Sequence, residues 1–192
     1  LFSAKNLLAI VNNILDYSKI EAGKIVFEKV EMNLLFIVRN IMAGFNKMAE
    51  EKGINLQLIA EDEDTTSLSI LGDPTRTTQI ITNLVQNAVK FTTTGSVVLR
   101  LVLEEKNTHF ITVTVRVEDT GIGIPEEKQK IIFEQFYQAD ASTSRSFGGT
   151  GLGLAITRKL LDSQGIALHL ESKINKGSTF YFTQTFPLAE EK

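Results

Sequence analysis

The sequence has no cysteine, no tryptophan, three prolines and two histidines. Without cysteine there is no disulfide framework and no thiolate-ligated metal site. The two histidines, His109 and His169, stand alone and far apart. No apolar run approaches the ~20 residues that a membrane helix needs. The opening Leu1-Phe2-Ser3-Ala4-Lys5 carries neither a signal-peptide pattern nor an initiator methionine. The expectation is a piece of a longer protein in a cytoplasmic setting, a membrane anchor elsewhere in the parent being compatible with it. There is no excess of one charge either: 20 Lys and Arg against 23 Asp and Glu leave a net charge of -3. That speaks against a nucleic-acid partner, which favours a basic face.

What is present suffices for one well-cored domain and a short appendage: 192 residues, 43% of them hydrophobic. Residues 5–20 read as an amphipathic helix with Leu7, Leu8, Val11, Ile14 and Leu15 on one face and Gly23 as its stop. Periodicity alone fits packing on the main domain as well as a fragment of a helical stalk. A strand is expected over 26–30, then a helix from the cap Asn33 to about Lys52, stopped by Gly53. Strands at 54–59 and 69–71 flank a polar loop. Asp73-Pro74 starts a helix running to about Phe91. Two strands at 96–104 and 110–118 suggest a hairpin, and Pro125-Glu126-Glu127 suggests a further helix. Residues 135–149 form a polar loop whose length suits a lid or a disordered segment. A helix over 152–164, stopped by Gly165, and strands at 167–172 and 178–186 complete the chain. This order predicts an α/β (α+β) two-layer sandwich, a mixed sheet packed against helices.

Three stretches carry chemistry. Asn83, Asn87 and Lys90 fall at i, i+4 and i+7, on one side of a helix. An amide oxygen is a hard ligand suited to Mg²⁺, and a lysine one turn on can meet phosphate; the same pattern also fits a solvated polar face. Asp119-Thr120-Gly121-Ile122-Gly123-Ile124-Pro125 follows a strand of buried character. Its carboxylate can accept from an exocyclic amine such as adenine N6, though a plain turn reads the same way. Gly148-Gly149-Thr150-Gly151-Leu152-Gly153-Leu154 runs straight into a helix, where backbone N–H groups and the helix dipole suit phosphate. It lacks the Gly-Lys-Ser/Thr ending of a Walker loop. Between the last two, Phe133 and Phe136 can anchor one end of the loop or serve as ordinary core.

In this order the stretches resemble the sensor histidine kinases over nearly the whole chain. Asn83 to Lys90 resembles the N box, Asp119 to Gly123 the first glycine box, Phe133 to Phe136 the F box, and Gly149 to Gly153 the second glycine box. Residues 12–23 resemble the end of the second helix of the dimerisation and phosphoacceptor domain, so residues 1–23 are expected to be stalk and 24–192 the catalytic domain. The flavour is that of hybrid kinases. The resemblance implies the Bergerat ATP-binding fold, with ATP and Mg²⁺ as cofactors. Asp119 would bind adenine, with Gly121, Gly123 and Ile124 beside it; Asn87 would ligate Mg²⁺ next to Asn83; Lys90 would touch phosphate. Gly149, Thr150, Gly151, Leu152 and Gly153 would line the triphosphate, and Thr179 would reach adenine through water. The implied partners are the phosphoacceptor helix bundle of the parent and a response-regulator receiver domain. The parent would be a homodimer and this chain a monomer.

The sequence departs from the family in three ways. The His-Glu acceptor pair is missing, and neither His109 nor His169 matches an acceptor position. Gln138 stands where some members place an Arg after the F box, leaving Arg145 as a weak substitute. The same ATP fold serves type II topoisomerases, mismatch-repair proteins and chaperones, which carry a Glu four residues before the Mg²⁺-binding Asn to activate water. Asn83 stands there instead, and an amide is no general base at neutral pH. That favours phosphoryl transfer, which needs positioning and charge neutralisation, over hydrolysis.

Overall fold

The computed structural model describes residues 18–62, 68–134 and 151–189, with Val11 and Leu15 before them. Val11, Leu15 and residues 18–21 are helical, and Gly23 stops this stretch at φ +63°. Strand β1 (Val30–Asn33) leads into helix α1 (Leu34–Lys52), followed by β2 (Ile54–Ala60) and β3 (Ser69–Gly72). Helix α2 (Pro74–Phe91), β4 (Gly95–Lys106) and β5 (Phe110–Asp119) come next. After two 3-10 turns come α3 (Gly153–Asp162), β6 (His169–Lys173) and β7 (Gly177–Pro187).

The main sheet has the order β2-β4-β5-β7-β6, with β2 parallel to β4 and the other neighbours antiparallel. It is the expected mixed sheet, and alternation assigns its faces. Val97, Leu99, Leu101, Val113, Val115, Val117, Phe180 and Phe182 are buried on one face. They meet Leu34, Val38, Ile81, Leu84, Val85, Ile156 and Leu160 of the helix layer in one core. The other face is polar. There Thr112 and Thr114 bond to Thr185 and Thr183, and Arg100 and Arg116 flank Glu118 at 3.3 Å each. Sheet and helices are therefore the two layers of a sandwich.

Caps fix where the helices begin and end. The Asn33 side chain accepts from Phe36 N–H, and Gly53 closes α1 at φ +67°. Asp73 does two things: one carboxylate oxygen caps α2 through Arg76 N–H at 2.8 Å, and the other accepts Glu28 N–H at 3.0 Å.

Two expectations are corrected. The strand placed at 26–30 lies at Val30–Asn33. Its partner β3 is only four residues long and pairs from Val30↔Gly72, while upstream the Glu28 N–H is taken by Asp73 and Val26 is 87% exposed. The helix expected after Pro125 is two short 3-10 turns, Glu126–Lys128 and Ile131–Phe133. The Gln129 amide reaches out to Ile124 O and Ser172 O, both at 3.0 Å, and the backbone closes i→i+3 bonds instead. The expected loop over 135–149, with Phe136, Gln138 and Arg145, lies outside the described residues.

Candidate functional site

The site is built where the C-terminal ends of α2 and β5 meet the start of α3. Asn83, Asn87 and Lys90 lie along α2, each half-buried, so the expected helical face exists. The Asn83 amide donates to Gly153 O at 3.4 Å and to Thr157 Oγ1 at 3.3 Å. It thereby joins α2 to the first turn of α3. Thr157 is fully buried, so this hydroxyl needs its partner. Lys90 lies 4.9 Å over the Phe91 ring, and burial lowers its pKa.

Asp119 ends β5 on the core side of the sheet. Its carboxylate accepts from Gly121 N–H at 2.8 Å. Burial pushes its pKa up, while the Gly121 and Ser178 N–H groups pull it back in part. A carboxylate so desolvated gains most from a donor that arrives with a ligand.

The glycines around it are demanded by the fold. A Cβ on Gly121 would meet Phe91 O. Gly123 has φ +68°, and a Cβ there would meet Lys173 O. Ser172 fastens this turn to the β6–β7 turn: it accepts from Ile124 N–H at 2.8 Å, donates to Gly177 O and shares a bond with Ser178 Oγ.

Gly153 is different. A Cβ there would find Asn83 at 3.7 Å, an ordinary contact, so protein packing does not require glycine. The preceding Leu152 is 1% exposed and provides no capping side chain, which leaves the N–H groups of the first turn to other acceptors. Gly151 has φ +69°. Gly149 and Thr150 lie outside the described residues.

By alternation Thr179 stands on the opposite sheet face from Asp119, yet both line one open cleft. Thr179 pairs with Glu118 and with Glu171, and directly opposed residues share a face, here the polar one. That cleft, about 300 Å³ beside the β6–β7 turn, is also lined by Ser178, Glu171, Lys173 and Lys176. Ser178, buried and paired with Asp119, occupies the core side instead. The same alternation that places Phe180 and Phe182 inward would have found it. Ser172, Gln129 and Thr157 also escaped the motifs, and no spacing marks them.

The donor set fits a nucleotide carrying its own Mg²⁺. Among the described residues no group of three or more His, Cys, Asp or Glu side chains is placed to hold a metal. Asn87 would supply one hard oxygen, which suits an ion that keeps waters and phosphate oxygens as its other ligands. Thr92, fully buried at the end of α2, has its hydroxyl without a partner among the described residues, a group ordinarily satisfied by water or ligand. Phe133 packs edge-on against Phe180, with centroids 6.3 Å apart and Arg158 over its other side at 5.2 Å. It fastens the chain next to Glu134, where the described stretch ends.

Residues 72–190 match the family model of the histidine kinase-, DNA gyrase B-, and HSP90-like ATPases. The chain is 43% identical to the signal transduction histidine-protein kinase BarA of Escherichia coli (strain K12) over 94% of its own length. It spans about a fifth of the length of that relative, 19%. A crystal structure of full-length ShkA in complex with AMPPNP superposes with TM-score 0.83 at 30% identity, over 98% of this chain and 38% of ShkA. The histidine kinase ThkA in complex with the response regulator protein TrrA superposes at 0.67 with 29% identity, over 97% of this chain and 48% of ThkA.

Proposed function

The chain belongs to the histidine kinase-, DNA gyrase B-, and HSP90-like ATPases, and from that premise we propose that it is the catalytic domain of a two-component sensor histidine kinase, which binds Mg-ATP and donates the γ-phosphate to a histidine outside this sequence. The observation that carries this reading is Asn83. In the hydrolytic branches that position holds a glutamate general base. Here it holds an amide spent on Gly153 and Thr157, which cannot take a proton from water. A family ATP site without a general base suits transfer to an acceptor that arrives already nucleophilic, such as a neutral imidazole.

The residues divide the work. Asp119 accepts from the adenine amine at the end of β5, and the Gly121–Gly123 turn shapes the base pocket. Asn87 holds Mg²⁺, which when bound neutralises phosphate charge. Lys90 and the start of α3 meet the phosphates. Residues 1–23 belong to the stalk that presents the phosphoacceptor. Support for this lies in the resemblance of residues 12–23 to the end of the second stalk helix; Ile20 is buried and Glu21 lies 3.2 Å from Lys159, so that end rests on α3. The next acceptor is an aspartate of a response-regulator receiver domain, as the ThkA–TrrA complex suggests. The parent is a homodimer through the stalk.

The test is to incubate the intact parent with ATP and Mg²⁺ and to type the product. Acid-labile phosphate on a histidine supports the proposal. Acid-stable phosphoserine, or steady release of inorganic phosphate without a phosphoprotein, would overturn it in favour of a serine kinase or an ATPase.

A further inference from the structure

We propose that Lys52, a residue of α1 outside every nucleotide motif, is a positioning residue for the nucleotide site. The proposal rests on the nucleotide reading above. The last carbonyls of a helix lack intrahelical partners and carry the negative end of its dipole. At the end of α2 every one of these groups is accounted for. Ala88 O accepts from Thr92 N–H at 3.1 Å. Lys52 Nζ donates to Val89 O at 2.6 Å, Lys90 O at 3.0 Å and Thr92 O at 3.1 Å. Phe91 O alone faces the other way and accepts Ile122 N–H at 3.4 Å.

An ammonium has three donors, and here three carbonyls receive them. The neighbouring helix thus grips the end of α2 on one side, while the Asp119–Gly123 turn leans on it from the other. Gly121 lies so close to Phe91 O that a Cβ would not fit between them. Asp119 in turn is held by Gly121 N–H. The backbone of Lys90 is therefore fixed by Lys52 directly. The adenine carboxylate is fixed through Phe91 and Gly121. One side chain sets both ends of the nucleotide against each other. Burial lowers the pKa of Lys52.

The test uses the full chain and a non-hydrolysable ATP analogue with Mg²⁺, titrated well below the melting points of all variants. Lys52→Met is expected to weaken binding roughly tenfold, in line with lost charged hydrogen bonds. It should also speed hydrogen exchange at the buried Thr92 amide in the nucleotide-free protein. Lys47→Met removes the same charge from an exposed position on α1 and is expected to bind like the parent. A folded Lys52→Met that binds within twofold of the parent overturns the proposal, as does an unchanged Thr92 exchange rate. If Lys52→Met does not fold, Lys52→Gln, which keeps a neutral donor, is read by the same two criteria. A parent that binds no analogue overturns the nucleotide reading and this proposal with it, whereas a binding parent with an indifferent variant overturns this proposal alone.

Discussion

Asp119 shows how far a single residue can be read from its surroundings. Burial raises its pKa above the ordinary 3.8, and two backbone donors do not fully offset that. For an acid with a raised folded value, stability is greatest below the unfolded value and is lost as pH rises through the folded one. The buried carboxylate thus disfavours the nucleotide-free fold at neutral pH. Asp119→Asn should raise the melting temperature of the nucleotide-free protein at pH 7, and the difference should shrink below about pH 3.8. The same variant should lose the preference for ATP over GTP, since the amide no longer presents two acceptor oxygens. In the parent, analogue affinity should fall on acidification, beginning above the usual carboxylate range. Asn87→Ala should remove the Mg²⁺ dependence of binding and leave the fold intact, as titrations with and without the ion would show. Sequence order singled out Asp119, Asn83, Asn87 and Lys90 because each sits in a dense local motif. It says less about β7. Thr179 and Ser178 look equally suitable in a line of text, and only the pairing with Asp119 turns one inward.

Among the elements, the glycine turns separate fold from ligand. Gly121→Ala should cost about 1–3 kcal/mol of stability, the usual range for overpacking, because Phe91 O stands in the way. Gly153→Ala meets only an ordinary contact with Asn83 and should melt like the parent, yet bind nucleotide more weakly. Paired thermal and binding measurements on the two variants would check the contrast. Thr157→Val should lower stability by about 1 kcal/mol by removing one of the two bonds of the Asn83 amide, and Thr157→Ser should restore it. Helices were the most legible elements, since Asn33, Gly53, Asp73 and Gly165 punctuate them. Strand β1 was misread because its limits are set by a four-residue partner distant in sequence. The helix after Pro125 was misread because Gln129 diverts that segment onto β6. Both errors came from tertiary partners that no local window contains.

At the scale of the whole molecule, one sheet face packs on three helices and the other remains polar, as the alternating strands implied. The Asn83 bonds join α2 to the start of α3, and the close approach of Gly121 to Phe91 O joins the end of α2 to the turn after β5. No helix among the described residues is long and apolar enough to cross a membrane. Ligand binding to the native state alone should stabilise the domain by about 2.7 kcal/mol at a hundredfold excess over Kd. A concentration-dependent rise in melting temperature with Mg-ATP analogue would report it. The most direct measurement is a calorimetric titration of the chain with a non-hydrolysable ATP analogue, with and without Mg²⁺. Saturable one-to-one binding strengthened by Mg²⁺ is the predicted result. No binding at millimolar analogue would contradict the account and leave a family fold that serves as a docking module without nucleotide.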